Sequence, residues 1–222
     1  GDLTYLSIKC REMLDEAGLK NCKIFATNAL DEYLITELER QGCKVDSYGV
    51  GDAIATSKHN PCFGNVYKLV QIDDNPVLKR SEDRIKLINP GFQITYRIIQ
   101  NGKFKVDVTC LRGDELSKAI ESRKTITLRD ERDRFKSMTF HEGKYEFRTL
   151  QQQIVKDGEI TYQDTTIQEK QAYYKDNLSH LDDTQKRLIN PHYYKCDISD
   201  ALYDLKNSLI DNLVKEIDTF NI

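Results

Sequence analysis

Residues 3–55 read as helix, strand, helix, strand, glycine turn, helix, and this order constrains the chain more than any other feature. A strand that returns through a helix to a second strand pairs with it in parallel, by a right-handed crossover. Leu3, Leu6, Cys10, Met13, Leu14 and Ala17 recur on one face of a helix over 3–17, and Gly18 stops it. "KIFAT", residues 23–27, reads as a short buried strand. Asn28 reads as the cap of a second helix, with Asp31 and Glu32 in its first turn. Leu30, Leu34, Ile35 and Leu38 form the buried stripe of that helix, and Gly42 ends it. "KVDSYGV", residues 44–50, is the second strand, and a short helix or turn follows from Asp52.

From about residue 64 the pattern changes. "NVYKLVQI" reads as a strand, and "GFQITYRIIQNGKFKVDVTCL" as two alternating runs joined by Asn101-Gly102, a strong hairpin signal. "SMTFHEGKYEFRTL" reads as a second hairpin turning near Glu142-Gly143, and "VKDGEITY" as a third. Residues 165–180 and 199–219 are helical, the latter with Ala201, Leu202, Leu205, Leu209, Leu213 and Val214 on one side. The fold class expected is α/β followed by α+β: residues 1–75 as a piece of an α/β barrel, residues 76–222 as a mostly antiparallel domain with helices. Pro76, beside the acidic turn Asp73-Asp74-Asn75, marks the border. A closed (β/α)₈ barrel takes about 250 residues, and the α/β rhythm here covers fewer than 80. Its sheet edges need other chain to cover them, so part of the fold is expected outside residues 1–222. The opening Gly1, with no Met, agrees with that expectation.

Composition narrows the function classes. The 33 basic and 36 acidic residues nearly cancel, which argues against a general nucleic-acid or membrane-surface binder. No apolar run approaches bilayer length and no segment has signal-peptide layout. The six cysteines are scattered with no C-x-x-C pair, which points away from a zinc knuckle and toward a reduced, cytoplasmic protein.

Gly49 and Gly51 flank Val50 at the end of a strand, and Thr27-Asn28 holds the matching position on the other strand. In parallel α/β sheets that edge is where ligands bind. Two missing side chains let backbone N–H groups approach an anion, and a following helix N-terminus adds partial positive charge. The same glycines also suit a plain tight turn. Asp52 opposes an anion unless it points away, caps the helix or meets a metal ion.

"GDLTYLS", "KIFATNALDEYL", "YGVGDAIATS", "FGNVYKLV" and "INPGFQITYRI" occur in this order, and together they resemble the C-terminal half of bacterial nicotinate phosphoribosyltransferases. The resemblance spans essentially the whole chain and is strongest over residues 1–100. It implies an incomplete α/β barrel joined to an open-faced β-sandwich domain. It implies a reaction that joins nicotinate to phosphoribosyl pyrophosphate and yields nicotinate mononucleotide and pyrophosphate, as a step of NAD biosynthesis. ATP hydrolysis coupled through a phosphohistidine, magnesium, and a homodimer with the active site near the subunit contact are implied too. Carried over, Gly49, Val50 and Gly51 match the loop that holds the ribose 5-phosphate, and Thr27 and Asn28 the neighbouring strand end. Gly1 and Asp2 match the end of an Arg-x-Asp-Ser-Gly-Asp segment that contacts substrate. Many family members carry Thr where Asp52 stands, so a direct role for residue 52 departs from the pattern. The phosphohistidine belongs upstream, so this chain is expected to carry no catalytic residue and no metal ligand, and to be inactive alone.

Other residues admit ordinary readings. Among His59, His141, His180 and His192, only His59 lies just past the loop. The run "ESRKTITLRDERDRFK" reads as a solvated strand and turn because its charges alternate. The Tyr pairs 173–174 and 193–194 read as packing aromatics. Two competing functions remain at this level: a nicotinamide- or quinolinate-type phosphoribosyltransferase, and a non-enzymatic interaction module over residues 90–222.

Overall fold

The computed structural model describes residues 1–79 and 87–220, with side chains of the last helix described to residue 213. The described residues form six helices and twelve strands and divide into two compact units, residues 1–66 and 67–222. Mixed α/β structure with a parallel pair first and mostly antiparallel sheets afterwards is the architecture expected, and among the described residues no barrel closes. No helix of the described residues is long and apolar enough to cross a membrane.

The first unit runs α1 (Leu3–Glu16), β1 (Phe25–Thr27), α2 (Glu32–Arg40), β2 (Ser47–Gly49) and α3 (Asp52–Ala55). β1 and β2 pair in parallel, with Ala26 opposite Tyr48 and Thr27 opposite Gly49, so the βαβ crossover is present. Several local expectations are corrected. The face of α1 turned inward carries Thr4 and Ser7, whereas Leu6 and Met13 are exposed. The reason is what α1 packs against: Thr4 Oγ1 donates to Gln41 Oε1 (2.8 Å), and Ser7 Oγ accepts from the Lys44 N–H (2.9 Å). A polar neighbour selects hydroxyls. In β1 only Ala26 is buried and Phe25 is exposed, because a lone strand pair leaves both strands as edges. Of the α2 stripe, Leu30 and Leu38 are buried while Leu34 is exposed. Asn28 does not cap α2. Asp31 does, its Oδ1 accepting from the Leu34 N–H at 2.9 Å. Gly42, at φ +77°, ends the helix as expected.

The second unit begins with the β3 (Gln71–Ile72) and β4 (Asn75–Pro76) hairpin. The strand expected over "NVYKLVQI" forms only at its end, and Val66, Tyr67 and Leu69 are exposed. β5 (Gln93–Gln100) and β6 (Lys103–Leu111) form the predicted hairpin, with Asn101 and Gly102 both at positive φ. After α4 (Glu115–Glu121) come β7 (Ile126–Arg129), β8 (Ser137–Phe140) and β9 (Glu146–Thr149). β10 (Val155–Lys156) and β11 (Glu159–Ile160) then make the third predicted hairpin, through Asp157 and Gly158. α5 (Ile167–His180), β12 (Lys195–Ile198) and α6 (Asp200–Phe220) complete the unit.

Residues 137–150 are not a hairpin. β8 pairs with β7 while β9 pairs with β5, so the turn at Gly143 carries the chain from one sheet to another. The charged run over 121–136 is not simply solvated either: Ile126 and Leu128 alternate inward and are buried. The main sheet has the order β12-β6-β5-β9, with β12 parallel to β6. One face contributes Ile94, Tyr96, Ile98, Val106, Val108 and Cys110 to a core closed by Ile120, Ile126, Leu128, Phe140 and Tyr145. Tyr96 donates its hydroxyl to Glu121 Oε1 from inside this core, and burial pushes its pKa up to about 12, so it remains a donor. In α6, Leu202 is fully buried, while Val214 lies outside the described side chains.

This core predicts a contrast. Ile98→Ala should cost about 2–5 kcal/mol in urea unfolding, and Phe135→Ala, at a fully exposed position, should change it by no more than about 0.5 kcal/mol.

Candidate functional site

The C-terminal ends of β1 and β2 bring Thr27 beside Gly49. Thr27 Oγ1 donates to the Gly49 carbonyl at 3.2 Å, which ties the two strand ends together. The backbone beyond β1 then takes an uncommon course: Asn28 sits at φ +120° and Ala29 at φ +48°. Consecutive non-glycine residues at positive φ store strain, a feature that concentrates at functional sites. Asn28 was expected both as a helix cap and at this strand end; its left-handed backbone was not, although Asn adopts positive φ more readily than most residues.

Beyond β2, Gly51 precedes α3 as its cap residue and supplies no side chain to the helix N-terminus. Its carbonyl accepts from the Ile54 and Ala55 N–H groups. Among the described residues the N–H groups of Val50, Gly51 and Asp52 donate to no acceptor. A Cβ at Gly51 would meet nothing within 4 Å, so there is open space beside this residue. A Cβ at Gly49 would lie 2.7 Å from Phe25 Cζ and 3.2 Å from Thr27 Oγ1. Gly49 therefore serves close strand packing, and Gly51 leaves room. Asp52 does not use its carboxylate as a cap; its carbonyl accepts from the N–H and hydroxyl of Thr56.

Other residues expected at the site lie elsewhere in the local structure. Asp2 caps α1, its Oδ1 accepting from the Tyr5 N–H at 3.0 Å, and no hydrogen bond links Gly1 or Asp2 to the Gly49–Asp52 loop among the described residues. His59 packs on the start of α2: its Nε2 lies 3.7 Å from Asp31 and 3.9 Å from Glu32, and its ring meets Tyr33 edge-on. The Asp31 carboxyl is held below its ordinary value, first by the Leu34 N–H and further by Lys58 and His59. Among the described residues no group of three or more His, Cys, Asp or Glu is placed to hold a metal ion.

The second unit holds a polar cluster that the sequence reading did not single out. Arg97 makes a bidentate pair with Asp107 (2.8 and 2.7 Å), and Tyr194 donates its hydroxyl to the same carboxylate (2.8 Å). Arg97 also lies over the Phe104 ring at 4.6 Å. Tyr194 is thus more than packing.

A family profile described as nicotinate phosphoribosyltransferase C-terminal domain matches residues 92–206. The nicotinate phosphoribosyltransferase of Bacillus subtilis is 32% identical over 224 aligned residues, covering 98% of this chain and 44% of that protein. That of Dictyostelium discoideum is 27% identical, covering 98% of this chain and 39% of its own length. The chain therefore spans less than half the length of these relatives. A crystal structure of human nicotinic acid phosphoribosyltransferase aligns with a TM-score of 0.65 at 21% identity, over 95% of this chain and 39% of that one, a likeness of fold.

The cap at Asp31 sets a pH response. Its pKa is depressed in the folded chain, so its contribution is present above the unfolded value of 3.8 and is lost as pH falls through the lower folded value. Asp31→Asn, which keeps a capping oxygen without a titrating group, should flatten the dependence of Tm on pH in that acid range.

Proposed function

This chain belongs to the nicotinate phosphoribosyltransferase family, and we propose that it supplies the ribose 5-phosphate anchor of such an enzyme. The whole enzyme would join nicotinate to phosphoribosyl pyrophosphate, releasing pyrophosphate and forming nicotinate mononucleotide for NAD biosynthesis in the cytoplasm. The observation that carries this reading is that the N–H groups of Val50, Gly51 and Asp52 donate to no acceptor among the described residues, with open space beside Gly51 and the adjoining strand end leaving through Asn28 at positive φ. Backbone N–H groups at a strand end hold a phosphate without a charged side chain.

The chemistry explains why such an anchor matters. As pyrophosphate leaves the sugar, positive charge develops at the anomeric carbon, and the protein's task is to position the partners and stabilise charge. Holding the distant 5-phosphate supplies binding energy that can be used at the reacting carbon. Thr27 would orient the strand end, Asn28 would offer its amide to the same ligand, and the Asp52 carboxylate would point away from it. Asp2 caps α1 with Oδ1 only, so its Oδ2 is available to substrate. Magnesium, ATP coupling through a phosphohistidine, and a homodimer belong in this proposal to the whole enzyme. Its remaining length would also cover the exposed Leu6, Met13 and Phe25 of the first unit.

Residues 1–222 alone should form no nicotinate mononucleotide, and adding the remaining segment should restore formation; full activity from this chain alone would contradict the proposal. In the whole enzyme, Gly51→Val should lower kcat/KM for phosphoribosyl pyrophosphate by about tenfold or more, by crowding the phosphate anchor, with the fold intact because the site is open. Unchanged steady-state kinetics would remove the loop from the mechanism.

A further inference from the structure

Two adjoining cavities in the second unit differ in character and share Pro191, His192 and Tyr193 as a common wall. The larger, about 730 Å³, has Arg97 and Phe104 on its floor, with Tyr174 and Leu178 of α5 and Tyr193 and Tyr194 beside them. Phe104 is committed: Arg97 covers it at 4.6 Å and His180 stacks on it at 5.0 Å. Tyr193 has Arg132 over its ring at 5.0 Å, yet it and Tyr174 are both more than half exposed. Arg97 gives Nε and Nη2 to Asp107. A slot lined by aromatic side chains suits a flat ring.

The smaller cavity, about 450 Å³, is polar and is lined by Thr184, Arg187 and Asn190 besides the shared wall. Arg187 is exposed and makes no ion pair among the described residues. No carboxylate lines either cavity. The nearby acids are engaged: the N–H and hydroxyl of Thr184 donate to Asp182, and Asp183 pairs with Lys186 at 2.6 Å. The stretch that forms the wall is itself fastened, by Tyr194 to Asp107 and by the His192 N–H to the Thr184 carbonyl, and Lys103 holds the end of α5 through the Ser179 and Leu181 carbonyls. An aromatic hollow adjoining one that carries an arginine matches a ring joined to an anion.

We propose that these adjoining hollows bind a nucleotide, with the base against Tyr174 and Tyr193 and the phosphate at Arg187. The site is built from the second unit alone and does not rest on the reading of the Gly49–Gly51 loop. Calorimetric titration of the 222-residue chain with AMP, adenosine and inorganic phosphate tests it. AMP should bind about tenfold more tightly than adenosine, with phosphate weaker still. Arg187→Ala should weaken AMP by about tenfold and leave adenosine unchanged, while Tyr174→Ala should weaken both by a similar factor. Both side chains are exposed, and an unchanged Tm would confirm intact variants. Photolabelling with 8-azido-AMP should mark the peptide containing residues 184–194. Equal AMP affinity in the wild-type chain and both variants, absence of AMP binding, or labelling confined to residues 27–56 would each overturn the proposal.

Discussion

The pairing of β5 with β6 sets the rest of the second unit, because every other strand of the main sheet attaches to one of these two. β9 adds to β5 and β12 adds to β6, so an error in the central register would propagate to both edges. That register contains a shift. Near the turn Gln100 pairs with Lys103 and Ile99 with Phe104, but from Ile98 onward the partner is one residue further along, Ile98 with Val106 and Arg97 with Asp107. A bulge of this kind re-aims side chains and increases local twist. Here it keeps Tyr96, Ile98, Val106 and Val108 on one face, all fully buried. It also brings the Arg97 guanidinium opposite a carboxylate on the other face.

That second face is organised by charge rather than by apolar area. Once Arg97 and Asp107 are paired and half-buried, the carboxylate has room for one more donor, and the Tyr194 hydroxyl fills it. The Tyr194 pKa is raised by burial and by the adjacent Asp107 carboxylate, so the phenol keeps the proton it donates. The turn at Asn101-Gly102 holds α5 through its carbonyl, which His180 Nδ1 contacts at 2.6 Å. One hairpin therefore positions a helix, an irregular stretch and an edge strand, and leaves a walled groove between the first two.

In the first unit the decisive constraint is the parallel crossover. It puts two strand ends side by side, and one hydroxyl-to-carbonyl bond, Thr27 to Gly49, joins them. The chain leaving each end must turn away sharply, and each does so differently. β1 leaves through two non-glycine residues at positive φ, whereas β2 leaves through a glycine whose amide, like those of Val50 and Asp52, finds no acceptor among the described residues. Strain on one side and unmatched donors on the other set this edge apart.

Patterns that depend on neighbours in the chain were legible in the residues. The βαβ order, the Asn101-Gly102 and Asp157-Gly158 hairpins, the helix ends at Gly42 and the strand-end glycines are local matters of φ preference and periodicity, and they occur where they were expected. What depends on distant partners was not. The helix α4 and strand β12 went unseen: α4 is only seven residues long, although Asp114 caps it, and β12 is four residues held at the edge of the sheet by β6. The inward face of α1 was misassigned because hydroxyls at Thr4 and Ser7 pack against Gln41 and Lys44, a preference no periodicity encodes. The residues alone determined where this chain turns and that glycine stands at a parallel strand end. The tertiary structure decided which strands pair across the Gly143 turn, how the bulge matches Arg97 to Asp107, and that the loop amides find no acceptor among the described residues, since pairing and burial are settled by contacts between segments remote in sequence.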